Sequence, residues 1–551
     1  AVSVIITSVI GIGIFFKNGG VFKMNNGSCA GILVSWILSA IIAMFTAFSY
    51  IEIASSKKTA GTNAGLGGWA NDFFVYNIGR AVKIWMPTWN YAFKCLAMSV
   101  FGAMAIFNIF FCYKTDDSYN QWFGNNTMLY STLLALGIII FFVVVNYFSG
   151  KFGDKFSQIS TFMKFVPVLV VAAVGIIFGA INGGGLWNGD YSHVIIDSSV
   201  NSPVYADGTI QPTGILNSLP AIMFAFDGFL IIGNVAAKVK NPRKNVSYSI
   251  VIAMIIVTVL NLAITIGCIT IGTGNPFEMF EIAFGKGSTL ATVFTIAIAA
   301  FIAFSAVACV NAYVMAGVGP LQECIDEDCV MFANYFKKVK SGDQHKLSAT
   351  LYFCAFMAVF GIIISIPSCI MNTDQIWDGT TVVGVVAFYG IYAIVICGGL
   401  VNRKTYRSEV QRSKMFVPSA FIGIIGCMFV AVYSLFYTYL GNMFEYTNGT
   451  MNAMAKFGGW GLSFTPSSMT SGYFPGWVAA SLFWLLFVLF AVYPFLNDFA
   501  IMLTNKNYPH ALMWQKEDTQ SQIIVATEAP VLPPISLREK KLIKKHSAKR
   551  G

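Results

Sequence analysis

Charge is what this chain has least of. Only 11% of its 551 residues are Asp, Glu, Lys or Arg and 56% are apolar, whereas a soluble domain carries about 25% charged residues. A water-soluble fold of this size would lack a polar coat. Histidine is almost missing as well: the four, at positions 193, 345, 510 and 546, fall in segments read as loops or tail. That leaves neither a Ser/His pair nor an H-E-x-x-H helix for intramembrane chemistry. No G-x-x-x-x-G-K-[ST] phosphate loop occurs, so no ATP motor is expected within the chain. The eleven cysteines include no C-x-x-C pair and read as small apolar packing residues. On these grounds no enzyme, cofactor, metal or nucleic-acid partner is expected.

What the chain does contain is long apolar runs. A helix needs about 20 mainly apolar residues to cross a hydrocarbon core roughly 30 Å thick, and such stretches recur along the sequence. They predict an all-α polytopic membrane protein of about 12 transmembrane helices, near 1–23, 29–53, 84–112, 128–148, 158–181, 214–236, 247–272, 288–317, 347–369, 379–401, 415–440 and 476–503. The first run begins at Ala1 without a basic start or a cleavage site, so it does not read as a signal peptide, and a cytosolic leader is expected ahead of it. With that leader inside, the even-numbered turns and the tail hold 28 of the 35 Lys and Arg, against five on the other face: Lys17, Lys23, Lys114, Lys286 and Lys456. Basic loops resist export, so both termini are expected in the cytosol and the protein in the plasma membrane. Residues 504–551 form a basic tail in which Arg538, Lys540, Lys541, Lys544, Lys545, Lys549 and Arg550 could bind anionic lipid headgroups or simply stay solvated.

Two of the runs are interrupted. The first contains Gly11-Ile12-Gly13 and the sixth Phe224-Ala225-Phe226-Asp227-Gly228-Phe229. Glycine weakens a helix by about 1 kcal/mol relative to alanine, and the backbone groups it frees must be satisfied by a cavity or a ligand. A lone G-x-G also serves close helix packing; two interruptions five helices apart point instead to a central binding site. Free amides at the start of a half-helix suit a carboxylate, and freed carbonyls suit an ammonium, so the pair suits a zwitterion such as an amino acid.

These residues resemble the amino acid-polyamine-organocation (APC) transporter family. The matching stretches are Gly11-Ile12-Gly13-Ile14-Phe15, Ser49-Tyr50-Ile51-Glu52, Asn146-Tyr147-Phe148-Ser149-Gly150, Phe224-Ala225-Phe226-Asp227-Gly228 and Lys240-Asn241-Pro242-Arg243-Lys244-Asn245. The resemblance implies a LeuT-type fold: a 5+5 inverted repeat, about 1–181 and 214–401, plus two C-terminal helices to about 503, working by alternating access. It places carboxylate binding on Gly11, Ile12 and Gly13 and amine binding on Phe224, Ala225 and Phe226. The chain departs from the family in Ile12, where a serine is usual, in Phe229, where tryptophan is usual, and in Ala237-Lys238, where an acidic pair is usual.

An ionisable residue inside a bilayer costs at least about 2.5 kcal/mol and needs a reason. Lys164 matches a family lysine placed near the unwound part of helix one. Its ammonium is expected to hold that helix through backbone carbonyls where sodium-coupled relatives hold a cation, and it could also carry a coupled proton; the alternative is a lysine that snorkels to the headgroups. Asp227 adjoins the amine position and could select cationic substrates. Lys94 reads as snorkelling or internally paired, Glu52 as a gate or packing contact, and Phe226 and Phe229 as lining or gating the pocket. The expected function is a permease that moves amino acids by proton coupling or by exchange against a counter-substrate. A polyamine or organic-cation carrier, or a non-transporting sensor, are the alternatives.

Overall fold

Inside a bilayer every backbone amide needs a partner within its own segment, a demand that α-helices meet without neighbours. The computed structural model describes residues 2–11, 13–57, 65–73, 76–111, 126–197, 204–339, 346–370, 372, 375–405, 410–441 and 476–504. The basic tail expected over 504–551, apart from Thr504, lies outside them.

The chain is an all-α polytopic membrane protein, with 11 helices long and apolar enough to span and a bent pair at its start that makes up to 12. That first span is divided into α1 (Val2–Val9) and α2 (Gly13–Met24). It is followed by α3 (Cys29–Ile53) and the short α4 (Gly65–Phe73). The next span joins α5 (Tyr76–Trp85) to α6 (Phe93–Phe111) through a π-helical segment, Met86–Ala92. Then come α7 (Thr127–Phe148) and α8 (Gly150–Ile181). The sixth span divides into α9 (Pro212–Phe226) and a 3-10 segment, Phe229–Lys238. The rest is α10 (Pro242–Ile271), α11 (Pro276–Phe284), α12 (Thr289–Asp326), α13 (Ala333–Lys337), α14 (Lys346–Ile370), α15 (Gln375–Val401), α16 (Phe416–Tyr433) with a π-helical continuation Ser434–Gly441, and α17 (Gly476–Thr504).

Helix positions follow the apolar runs, but several ends do not. The runs start the third and fifth spans at 84 and 158 and end the eighth at 317, whereas the helices reach back to Tyr76 and Gly150 and on to Asp326. Hydropathy registers only the part that must be apolar, while a helix continues into water wherever its polar end finds a cap or a partner. Ser149 accepts from the Phe152 amide at 3.3 Å and starts α8 early. The loop before α9 also holds a two-stranded antiparallel ladder, β1 (Ile195–Asp197) with β2 (Val204–Tyr205), too short to leave an alternating pattern in the sequence.

Burial separates centre from rim. In the most apolar stretch of the divided span Pro212–Asn234 89% of the residues are buried, against 28% in those of Thr127–Phe148 and Lys346–Ile370, so the latter present Leu133, Ile140, Ile362 and Ile366 outward as a lipid-facing surface does. Around the centre, α6 runs along α12, α8 along α10, and α3 packs on both α10 and α16. The α8–α10 seam depends on absent side chains: a Cβ on Gly175 would lie 2.5 Å from the Gly267 carbonyl oxygen, and one on Gly179 2.5 Å from that of Thr270. Small residues four apart allow this backbone approach, which in lipid supplies packing energy that the hydrophobic effect does not. Gly175→Ala should therefore lower the thermal midpoint in detergent by several degrees, whereas Gly137→Ala, with open space around its Cβ, should leave it unchanged or raise it slightly.

Candidate functional site

The two interruptions meet. Gly13, the first residue of α2, faces the end of α9 so closely that a Cβ there would lie 3.1 Å from the Ala225 Cα. Gly228, at φ 96°, turns the chain out of α9 beside the Ser8 carbonyl. Gly13 lies in this crossing and Gly11 lies against Cys309 of α12; Ile12 between them lies outside the described residues.

A helix that stops in the membrane leaves its last carbonyls without partners. At the end of α1 side chains supply them. The Lys164 ammonium, on a residue with no exposed surface, donates to the carbonyls of Thr7 and Ile10, the latter at 2.7 Å, and lies 3.1 Å from the Cys309 Sγ. Ser305 donates to the Ile10 carbonyl at 3.4 Å, Cys309 to that of Thr7 at 3.4 Å and the Tyr313 hydroxyl to that of Ser8 at 3.4 Å. The Thr7 hydroxyl also meets Thr161 and the Ser157 carbonyl on α8. Lys164 thus turns inward to the broken backbone and does not snorkel. Ser305, Cys309 and Tyr313 were not anticipated, yet their spacing of four residues puts them on one face of α12, and that regularity could have flagged them.

The sixth span is held from other helices. Tyr389 donates to the Met223 carbonyl at 3.2 Å. Asp227, at the extended residue after α9, forms a buried ion pair with Lys94 of α6. Its Oδ1 also accepts from the Gly228 amide at 2.6 Å and the Tyr392 hydroxyl at 2.9 Å. Lys94 is therefore internally paired, and Asp227 offers no free carboxylate to a cation. Removing one partner of such a pair strands a charge and costs about 3–5 kcal/mol. Phe226 and Phe229 are both fully buried: Phe226 meets Trp36 edge-on at 6.2 Å, and Phe229 meets Tyr392 at 5.6 Å and Tyr50 at 6.3 Å. Phe224 carries a cation over its ring. The ammonium of Lys17 lies 5.2 Å from the ring centroid and 3.3 Å from the Thr381 hydroxyl; this lysine, counted from the sequence with the basic residues of the outer face, is buried within α2.

Both ends of the bundle carry polar ties. At the basic end Arg403 makes two hydrogen bonds to Glu52, at 2.8 and 3.0 Å, and Glu52 also accepts from the Ser413 amide at 2.9 Å. Arg243 of the Lys240–Asn245 run donates to the Ser55 carbonyl at 2.9 Å. The tie therefore joins α3, α10, α15 and the turn before α16, and Glu52 is a contact between elements. At the opposite end Asn26 binds Asp207 and Thr209, the latter at 2.7 Å, linking the end of α2 to the loop before α9. The Thr209 amide donates to the Asp207 carboxylate and holds it below its usual pKa.

The amino acid permease family profile matches residues 1–462. The chain belongs to the amino acid permease family. Among curated proteins, this family member is 24% identical over 294 residues to the serine/threonine exchanger SteT of Bacillus subtilis, covering 53% of the chain and 58% of that protein. It is 24% identical over 319 residues to the human cystine/glutamate transporter, 57% and 58% of the two chains, and 24% identical over 277 residues to amino acid transporter protein 6 of Caenorhabditis elegans, 48% and 46%. The matched stretch spans about half the length of these relatives.

The Glu52–Arg403 tie holds the elements at the basic end together. Charge-assisted hydrogen bonds contribute about 1.5–3 kcal/mol each, so losing both in Arg403→Ala should open the basic end at least about tenfold more often. In a protein whose other ten cysteines are alanine, Cys309 should then react with a permeant maleimide about tenfold faster; an unchanged rate would show that the tie does not gate this end.

Proposed function

We propose that this chain is a secondary active transporter that carries amino acids across the plasma membrane by alternating access, with both termini in the cytosol. The observation that carries this reading is the crossing of two broken spans at Gly13 and Ala225. A half-helix beginning at Gly13 presents amides without intrahelical acceptors to a carboxylate, while the end of α9 presents the Ala225 and Phe226 carbonyls, beside that of Phe224 which also accepts from the Asp227 amide at 3.3 Å, to an ammonium. Gly11, Ile12 and Gly13 are assigned to the substrate carboxylate on this basis, and Phe224 to Phe226 to its amine. Gly228 supplies the turn, and Phe226 and Phe229 pack around it.

The repeats about 1–181 and 214–401 would rock against each other around this crossing, opening the tie at Glu52 and Arg403 on one face and the tie at Asn26 and Asp207 on the other in turn. A cleft of about 170 Å³ lined by Asn146, Tyr147, Asn234, Gln322, Lys346 and Thr350 adjoins the 3-10 segment at the basic end, which favours release there. The relatives named as an exchanger and as a two-substrate transporter favour exchange; a coupled proton would sit on Lys164. The basic tail would rest against anionic lipid. An organic-cation carrier would need an unpaired acid at the site, and Asp227 is taken by Lys94.

Uptake of a radiolabelled amino acid mixture into proteoliposomes, with and without an inward proton gradient and with and without preloaded amino acids, tests this reading. Stimulation by preloading alone would identify exchange, and stimulation by the gradient a proton symporter. Absence of uptake by folded protein under every condition would refute amino acid transport. Lys164→Ala leaves the Thr7 and Ile10 carbonyls without their donor and should reduce uptake at least about tenfold; normal uptake at all pH values would remove Lys164 from the mechanism.

A further inference from the structure

We infer that Lys94 sets the charge selectivity of the substrate site by occupying, from within the protein, the place at Asp227 that a cationic substrate group would otherwise fill. The inference rests on the transport reading above and adds to it the class of substrate: amino acids with uncharged side chains.

Asp227 lies between α9 and the 3-10 segment, adjoining the Phe224–Phe226 carbonyls assigned to the substrate amine. Its carboxylate receives three donors, the Gly228 amide, the Tyr392 hydroxyl and the Lys94 ammonium, and its side chain is 1% exposed. Lys94 follows the π-helical segment Met86–Ala92 by two residues. A π turn changes which side chains face a neighbouring helix and is frequent at functional sites. Here it accompanies the placement of Tyr91, which stacks on Tyr313 at 6.2 Å, and of Lys94 on Asp227. The Tyr313 hydroxyl in turn donates to the Ser8 carbonyl at the end of α1. The pair and the broken end of α1 are therefore connected through Tyr91 and Tyr313 to one central polar shell. The titratable groups turned toward Asp227 from the packed elements are Lys94 and Tyr91 of the third span, Tyr313 of α12, and Tyr389 and Tyr392 of α15. The tyrosines are neutral hydroxyls at physiological pH, so Lys94 supplies the compensating charge.

A pair whose only task is to hold α6 to α9 would be replaceable without effect on what the site accepts. A pair that balances charge at the site makes opposite predictions for its two halves. Lys94→Met keeps an unbranched chain and strands a carboxylate, which draws a cationic side chain; Asp227→Asn strands an ammonium, which draws an anionic one. Removing both together leaves the net charge of the site as it is in the native protein.

The test is inhibition of proteoliposome uptake, using the amino acid that the native protein takes up best, by arginine and by glutamate. Native uptake should favour an uncharged amino acid and resist both inhibitors. Lys94→Met should become at least about tenfold more sensitive to arginine and not to glutamate, Asp227→Asn the reverse, and the Lys94→Met/Asp227→Asn protein should be insensitive again while still transporting. Single variants that lose rate but keep the native order of inhibitors would assign the pair to structure and overturn the inference. If neither single variant folds, the native and double proteins decide. Preference of the native protein for a charged amino acid, or a double variant sensitive to either inhibitor, would overturn it. Native protein that takes up no amino acid at all would instead overturn the transport reading.

Discussion

The constraint on which this structure turns is that a helix broken inside a bilayer has no water to bind its loose carbonyls. The first span stops at Val9, and the Thr7, Ser8 and Ile10 carbonyls have to find donors from other helices. Lys164 on α8 and the row Ser305, Cys309 and Tyr313 on α12 provide them. The end of α1 is thus positioned by side chains and not by its own helical ladder. A helix end held in this way can be released by rearranging a few side chains, without unfolding the span, as the proposed alternating access would require.

Two of the buried lysines, Lys164 and Lys94, do different work. Lys164 faces backbone dipoles, each of which carries only a partial charge, so its full charge is shared between two carbonyl oxygens and the Cys309 sulfur. Lys94 faces the carboxylate of Asp227, and the two cancel. Desolvating both partners is expensive, and pairing mainly prevents the larger cost of leaving either one alone. In the proposed site the pair leaves an amino acid to be met by dipoles: amides at the start of α2 for the carboxylate and carbonyls at the end of α9 for the amine. Electrostatic recognition at Gly13 and Ala225 then depends on backbone geometry, which explains why glycine at position 13, where no Cβ separates the two spans, matters to the site.

Ties at the ends of the bundle complete the picture. Glu52 is fixed by the Arg403 guanidinium and the Ser413 amide, and Asn26 joins α2 to the loop ahead of α9. These polar clusters lie at the two ends of the divided spans, where breaking them exposes the groups to water and is cheaper than it would be at the centre. A mechanism that opens the ends in turn while the centre stays satisfied is consistent with that distribution.

The number and approximate positions of the spans, the interruptions at Gly11 to Gly13 and Phe224 to Phe229, and the relation to a transporter family were all legible in the sequence, because a bilayer enforces long apolar runs and makes each glycine pair or charge within them conspicuous. Helix ends beyond the apolar runs, such as Tyr76 to Lys83 and Val318 to Asp326, were not, since a polar residue there can be held by a partner on another helix, as Arg80 is by Asp498, and hydropathy does not register that partner. Lys164 could be placed from its motif, and Glu52 could be expected as a packing or gate contact. That Asp227 is neutralised by Lys94, 133 positions away in the chain, that Lys17 is buried against Phe224, and that a row on α12 binds the carbonyls of α1 were decided only by tertiary structure. Hydropathy and spacing act along one chain segment and can show that a buried charge needs a partner; which partner it receives depends on which helix faces are brought together across the bundle.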